Sequence, residues 1–310
     1  MKLSIILPSH NPDRARLQRT LAGLRAQTLR QDSWELLVVD NASRPPVGGI
    51  EGGNARLVVE SQLGLTHARR RGFSESRAEF IVMVDDDNVL APDYLERALA
   101  LFAAHPRIGA LGGRSVPEFE TEPPAWAREF DDLLACRDLG PEPLISSGLR
   151  PPGAARNEYP RCAPIGAGMA LRRAAVQCWL DASGSDAPPD RQGGDLSSGG
   201  DNDIVLSLMR AGWEVGYFPE LSLTHLIPAA RIAVDYLARL NFGIQKSWMQ
   251  VLARHDANPW PPLTPAGAAV RKARAWLTHR AWSSPAARIR WRGACGHFEG
   301  RTLINAIPAP

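Results

Sequence analysis

Apolar positions in the first hundred residues alternate between two rhythms. Ser4-Ile5-Ile6-Leu7 is a short, continuously apolar run, which predicts a strand covered on both faces. Asn11-Pro12-Asp13 then predicts a helix start, with Asn11 as N-cap and proline at the first helical position. Leu17, Leu21 and Leu24 recur at helical spacing behind it. Glu35-Leu36-Leu37-Val38-Val39-Asp40 predicts a second strand ending on a carboxylate, and Arg56-Leu57-Val58-Val59 a third. A helix is expected from Thr66 to Ser76. Phe80-Ile81-Val82-Met83-Val84 predicts a fourth strand that runs into Asp85-Asp86-Asp87-Asn88. Pro92-Asp93 opens a further helix with Tyr94, Leu95, Ala98, Leu99 and Phe102 on its apolar side. Strands separated by helices imply parallel pairing with right-handed crossovers, and ligands on such sheets bind beyond the carboxyl ends of the strands. Asp40 and Asp85 to Asp87 fall at those ends.

The pattern loosens after Glu118, where proline and glycine are frequent, and Gly184 to Gly200 reads as a loop. A helix follows from about Asp203 to Arg210, stopped by Gly212, then a strand over Trp213 to Phe218. Val234, Leu237, Ile244 and Trp248 mark a helix from about Ala229 to Leu252, and Pro259-Trp260-Pro261-Pro262 breaks the chain beyond it. The expected organisation is a catalytic α/β domain over 1–228, with a nucleotide-binding half (1–115) and an acceptor half (116–228). A helical, basic C-terminal extension would occupy 229–310.

Composition narrows the class. With 44% hydrophobic and 22% charged residues among 310, the chain has the balance of a soluble globular protein. No apolar run reaches the roughly 18 residues a membrane-spanning helix needs. The first eight residues do not resemble a signal peptide. Four cysteines, Cys136, Cys162, Cys178 and Cys295, are scattered without a Cys-x-x-Cys pair, which argues against a zinc site or disulfide framework and for a reducing compartment. A cytoplasmic protein is expected. The net charge of +3 hides an asymmetry: from Lys246 onward ten Lys/Arg stand against Asp256 and Glu299, and five of the nine tryptophans lie in the same stretch. Ala269, Val270, Ala273, Trp276 and Leu277 share one helical face there, with Arg271, Lys272 and Arg274 mostly off it. A helix at an anionic membrane surface and a packing helix with a solvated basic face both fit this pattern. Nucleic acid is not expected as a partner.

The acidic run carries the strongest chemical signal. Two carboxylates 4 Å apart near a protein surface repel by roughly 4 kcal/mol. A divalent cation bridging carboxylates and phosphate oxygens relieves that repulsion, and oxygen ligands suit Mg²⁺ or Mn²⁺. A solvated acidic turn is the plainer alternative. Asp40 could accept from a ribose hydroxyl or a base N–H, or could be a turn residue before Asn41. The glycine-rich phosphate loop of dinucleotide-binding folds is absent after the first strand, and Pro8-Ser9-His10-Asn11 stands in its place. A metal rather than a glycine loop is therefore expected on the phosphates.

Four segments, Ser4 to Asn11, Val38-Val39-Asp40-Asn41, Gly64-Leu65-Thr66-His67-Ala68-Arg69-Arg70-Arg71-Gly72 and Val84-Asp85-Asp86-Asp87, occur in the order that resembles family 2 glycosyltransferases. The resemblance implies the Rossmann-like GT-A fold, a mostly parallel sheet flanked by helices, in a bacterial, inverting enzyme. It assigns the Asp-x-Asp metal and donor motif to Asp85, Asp86 and Asp87, and the nucleoside contact to Asp40. It also puts Pro8, Asn11 and Arg69 at the donor. Arg70 departs from the family's asparagine. Gly166-Ala167-Gly168-Met169-Ala170-Leu171-Arg172-Arg173 resembles the small-residue strand under the acceptor site, implicating Gly166 and Gly168. Gly199-Gly200-Asp201-Asn202-Asp203-Ile204 resembles the Gly-Glu-Asp-x-(Glu/Asp)-Leu motif with Gly200 in place of the glutamate. That match implies Asp201 as catalytic base, with Asn202 and Asp203 toward the acceptor. A helix N-terminus favours a carboxylate at Asp201. A plain helix-capping role for Asp201 and Asp203 is the alternative. His225 falls where related enzymes can complete the metal shell, and a structural or phosphate-binding histidine is the alternative.

The implied reaction moves a sugar from a nucleotide-diphosphate donor, a UDP-sugar, to a hydroxyl of a saccharide or lipid-linked saccharide. Cell-surface polysaccharide or glycolipid synthesis is the implied setting, with the enzyme peripheral on the inner face of the plasma membrane. A nucleotidyltransferase and a catalytically inactive membrane-associated scaffold are the competing classes.

Overall fold

The computed structural model describes residues 1–50, 53–151, 153–183, 190 and 196–304. Strands β1 (Leu3–Ser9), β2 (Trp34–Asn41), β3 (Ala55–Glu60) and β4 (Phe80–Met83) form the parallel part of the sheet, with Ile5 opposite both Leu36 and Val82. Every residue of β1 and β2 is buried, as their continuous apolar runs require. The alternation of side chains feeds two core layers. Ile6, Leu37 and Val39 point to one face of the sheet, and Leu3, Ile5, Leu7 and Val38 to the other. Helix α2 (Leu65–Glu75) supplies Phe73 to the first layer. Helices α1 (Arg14–Arg25) and α3 (Tyr94–Ala104) supply Leu17, Leu21, Leu24, Tyr94 and Phe102 to the second. The cap of α1 is Asp13, whose carboxylate accepts the Arg16 N–H at 3.0 Å. Asn11, expected in that role, has a left-handed φ of 49° and lies two residues upstream.

The second half extends the same sheet with short strands β5 (Asn88–Leu90), β7 (Leu144–Ser146) and β8 (Ala170–Arg172), and long strands β6 (Ile108–Phe119) and β9 (Glu214–Ile227). The order is β3-β2-β1-β4-β8-β6-β9-β5, with β7 paired to β9. Parallel pairing makes the long ladders, whereas β8 enters antiparallel between β4 and β6 over two or three residues. The strand expected over Trp213 to Phe218 does not end at Phe218. Instead the register of the β6–β9 ladder shifts between Gly112 and Arg114, and pairing resumes from Ser222 to Ile227. The extension carries His225 to the end of the sheet.

Helices α4 (Arg173–Ser183) and α5 (Gly200–Arg210) cover the first core layer, contributing Trp179, Ile204 and Leu208. The C-terminal segment forms α6 (Val234–Arg254), α7 (Pro265–Thr278) and α8 (Pro285–Thr302). A 3₁₀ turn at Ala229–Ile232 occupies the first part of the single helix expected there. Close packing of α8 on α6 is enforced by small residues: a Cβ at Gly296 would lie 2.1 Å from the Phe242 carbonyl oxygen. Helix α7 lies outermost and buries only Ala268 and Ala275, leaving Val270 and Leu277 more than half exposed. No helix among the described residues is long and apolar enough to cross a membrane.

Candidate active site

A cleft of about 450 Å³ opens at the carboxyl ends of β1 and β4, where the strand–helix pattern places ligands. Its floor is made by Pro8, Ser9, Asp85, Asp86 and Asp87. Arg69, Gly166 and Asp201 form one wall. Tyr236 and Leu240 of α6, with Leu133 and Leu134 of the 3₁₀ segment Ala125–Leu134, close it from above.

The three acids of the floor are held in different ways. Asp86 accepts the Ser9 hydroxyl at 2.6 Å. Its carboxyl is pushed up to about 6, first by burial and then by its acidic neighbours, with the Ser9 bond opposing. Asp87 is buried and accepts from the Asn88 amide at 3.1 Å. Arg231, on the 3₁₀ turn after β9, stands 3.0 Å from its second oxygen. His225 faces it across the β5–β9 pair, with Nε2 3.4 Å from Asp87 Oδ1. The His225 Nδ1 is buried with no hydrogen-bond partner among the described residues. Asp85 lines the same cleft, and its N–H meets the Asn88 side-chain oxygen at 3.3 Å. Carboxylates suit Mn²⁺ or Mg²⁺, and the His225 nitrogen turned toward Asp87 is Nε2, which also meets Arg231 Nη1 at 3.3 Å. No three such groups converge tightly enough among the described residues to form a ready-made cage. An ion there would draw further ligands from a bound phosphate or from water.

Asp201 sits in the first turn of α5. One oxygen accepts the Gly166 N–H at 2.9 Å and the other the Asn202 N–H at 3.0 Å. Both bonds fix the carboxylate facing the cleft. Arg69 is buried and pairs with Asp190, Nη1 to Oδ2 3.0 Å. The same Asp190 oxygen accepts the Gly200 N–H at 3.2 Å, and the Asp190 carbonyl accepts the N–H of Leu65. Gly166 fills the space between the two charges. A Cβ there would lie 2.8 Å from Arg69 Nη2 and 3.3 Å from Asp201 Oδ2. Gly200 is equally constrained, since its Cβ would lie 2.7 Å from Asp190 Oδ2.

Several residues expected in the site lie off it. Asp203, placed with the acceptor, is buried in the core. It takes the Trp179 indole N–H at 2.7 Å and His255 Nε2 at 2.8 Å. Residues two apart on a helix point to opposite sides, so Asp201 and Asp203 cannot both face the cleft. Asn202 does not line the cleft among the described residues. Gly168 does not line it either. Its φ of 72° demands glycine, and its carbonyl accepts the Tyr94 hydroxyl. Asp40 is buried behind the floor, with its two oxygens accepting the N–H groups of Ser43 and Val47 at 3.0 Å each. This is the turn role, and it is Asn41 that lines the cleft. Asn11 spends its side-chain oxygen on the Arg44 N–H. Ser9, Asp190, Arg231, Tyr236 and Leu240 were not picked out from the sequence. Of these only Ser9 had a signal, in the polar turn after β1. Of the loop expected over Gly184 to Gly200, Asp190 and residues 196–200 belong to the described residues.

The family model described as glycosyl transferase family 2 matches residues 4–180. A glucosyl-dolichyl phosphate glucuronosyltransferase from Haloferax volcanii is 22% identical over 274 residues, covering 84% of this chain and 82% of the relative. An uncharacterized glycosyltransferase from Haemophilus influenzae is 28% identical over 112 residues, covering 35% of this chain and 37% of the relative. Among solved structures, residues 1–349 of TarS from S. aureus superpose with a TM-score of 0.50 at 13% identity, covering 99% of this chain and 92% of that one. The likeness extends the match across the whole sheet and marks the fold as GT-A.

Proposed function

Because the chain belongs to glycosyl transferase family 2, we propose that it transfers a sugar from a UDP-sugar to a hydroxyl of a saccharide or lipid-linked saccharide, with inversion at the anomeric carbon. The observation that carries this reading is the facing of Asp201 and Asp85–Asp87 across one cleft, with Arg69 beside them. Asp201, oriented by two backbone N–H groups, takes the acceptor hydroxyl's proton. The freed oxygen attacks the anomeric carbon from the side opposite the diphosphate, so one C–O bond forms as the other breaks. A positioned base of this kind contributes roughly 10²- to 10⁴-fold in rate. Arg69 and Arg231 supply positive charge toward the departing diphosphate. Asp85, Asp87 and His225 would hold a Mn²⁺ or Mg²⁺ ion, whose charge would offset that of the diphosphate. The relative that acts on a dolichyl phosphate supports a lipid-borne acceptor.

Two further features support work at a membrane surface in a reducing compartment, at the inner face of the plasma membrane. All four cysteines are free. The outer face of α7 exposes Val270, Trp276 and Leu277 beside Arg271 and Arg274, with Trp282 exposed just beyond, a combination suited to anionic headgroups.

The test is sugar transfer and donor hydrolysis with Asp201→Asn and Asp87→Asn, alongside calorimetry with UDP and Mn²⁺. Asp201→Asn should lose transfer and keep nucleotide binding, and Asp87→Asn should lose the metal-dependent part of binding. Wild-type rates in both variants would refute the assignment. Absence of metal-dependent UDP binding in the wild type would favour a scaffold.

A further inference from the structure

A second cavity, of about 340 Å³, lies beside the cleft. Arg239, Phe242, Lys246 and Gln250 of α6, Arg292 of α8 and Ser197 line it. Among the described residues, Leu196 to Ser198 stand between the two cavities. Leu196 and Ser198 face the cleft, while Leu196 and Ser197 face the second cavity. The segment is fastened to α6 at two points. At Gly243 a Cβ would lie 2.5 Å from the Leu196 carbonyl oxygen. One turn on, Ser247 Oγ accepts the Ser198 N–H at 3.2 Å. The faces of α6 divide accordingly: Tyr236 and Leu240 look into the cleft, and Arg239 and Lys246, two turns apart, look into the second cavity.

Among the described residues the charge in this cavity is unbalanced. Neighbouring cations on α8 are paired, Arg288 with Asp235 at 2.9 Å and Arg290 with Glu129. Arg239, Lys246 and Arg292 have no carboxylate partner among the described residues, and no described carboxylate lines the cavity. The Arg292 guanidinium instead lies over the Phe242 ring, 4.6 Å from its centroid. Stacking orders the guanidinium without neutralising it. Three like charges around one recess repel each other, and an anion with several oxygens removes the repulsion while accepting charge-assisted hydrogen bonds from all three. Phosphate matches both needs, and arginine binds it through paired N–H groups.

We propose that this cavity is a phosphate subsite, and that its phosphate belongs to an acceptor lying across Leu196 from the cleft. The identity of the acceptor rests on the transferase reading above; the anion site does not. With the acceptor's phosphate held here, its sugar end would reach the cleft past Leu196, which lines both cavities.

The experiment is isothermal titration of the full chain with inorganic phosphate and, separately, with farnesyl phosphate as a short lipid phosphate. Wild type is compared with Arg239→Gln and with the double variant Arg239→Gln/Lys246→Gln, and UDP binding is measured in parallel. Arg239 is exposed, so its single variant keeps the fold even if the double variant does not. Wild type should bind farnesyl phosphate more tightly than inorganic phosphate. The single variant should weaken it by about tenfold and the double by more, with UDP affinity unchanged in both. Binding of both phosphates unaffected by the substitutions would overturn the site. Equal affinity for the two phosphates would overturn its assignment to the acceptor. Phosphate binding that depends on Arg239 in a protein that fails to bind UDP would sustain the anion site and count against the transferase reading.

Discussion

Arg69 Nη1 lies 3.0 Å from Asp190 Oδ2, and that same oxygen accepts the first N–H of α5, at Gly200. One carboxylate thus ties the arginine of α2 to the helix start that presents Asp201. Both partners are buried, the side chains only 6% and 2% exposed. Removing one partner of such a pair leaves an uncompensated charge and costs about 3–5 kcal/mol. Asp190→Ala should therefore lower the urea midpoint markedly and reduce transfer, whereas Asp190→Glu should recover less than wild type because Gly200 leaves no room for a longer side chain. Equal midpoints for wild type and Asp190→Ala would sink this account.

Gly166→Ala places a methyl group against Arg69 and Asp201, closer than real Cβ contacts to the guanidinium. The Gly166 N–H also holds Asp201 in place, so displacement there disturbs the proposed base directly. Transfer should fall by at least about tenfold, since a positioned base is worth roughly 10²- to 10⁴-fold. UDP binding should fall less than transfer, because the floor of the cleft is untouched and only Arg69 is displaced. Calorimetry and initial rates on the same preparation check both halves.

Asp201 and Asp203 should separate cleanly by substitution. Asp203→Asn removes charge from a carboxylate that accepts from Trp179 and His255 in the core, so its effect should be on stability. Asp201→Asn should leave the melting temperature near wild type and abolish most transfer. A catalytic loss in Asp203→Asn without a shift in melting temperature would contradict the structure.

The Asp86 carboxyl sets a pH dependence in the metal-free, nucleotide-free protein. Its folded value is raised from 3.8 to about 6, mainly by burial. Between those values the folded state holds a proton that the unfolded chain has released. The contribution to stability is therefore full below about pH 4, and falls as pH rises through about 6. Urea midpoints measured with chelator across pH 4–7 should show Asp86→Asn gaining on wild type as pH rises. A difference between the two that does not change with pH would rule it out.

The first half of the chain was legible because its signals are local. Continuous apolar runs fix β1, β2 and β4, and the acids follow directly from a strand end, so Asp85–Asp87 could be placed from periodicity alone. Asp40 shows the limit of that logic. A carboxylate at a strand end can serve a ligand or its own turn, and only the positions of the Ser43 and Val47 N–H groups decide. For Asp203 the helical period already opposed the motif, since Asp201 and Asp203 cannot share a face. The remainder depends on pairings distant in sequence. Pro219 hid the second half of β9 because the strand resumes beyond it only through its partner β6, where Gly113 alone separates the two paired stretches. Asp190 meets Arg69 across 121 positions from within an aperiodic stretch. Tyr236 and Leu240 look like ordinary helix positions until α6 is seen over the cleft.

The position of α6 governs how the chain can be divided. Phe130 and Leu134, on the 3₁₀ segment beside the cleft, share a core with Ile227, Leu237, Leu240 and Ile289. A truncation after 228 would strip the cleft of Arg231, Tyr236 and Leu240 and bare that core to water. Exchanging the C-terminal helices between relatives would accordingly transplant part of the reaction chamber, carrying acceptor preference with it while leaving the nucleotide floor behind.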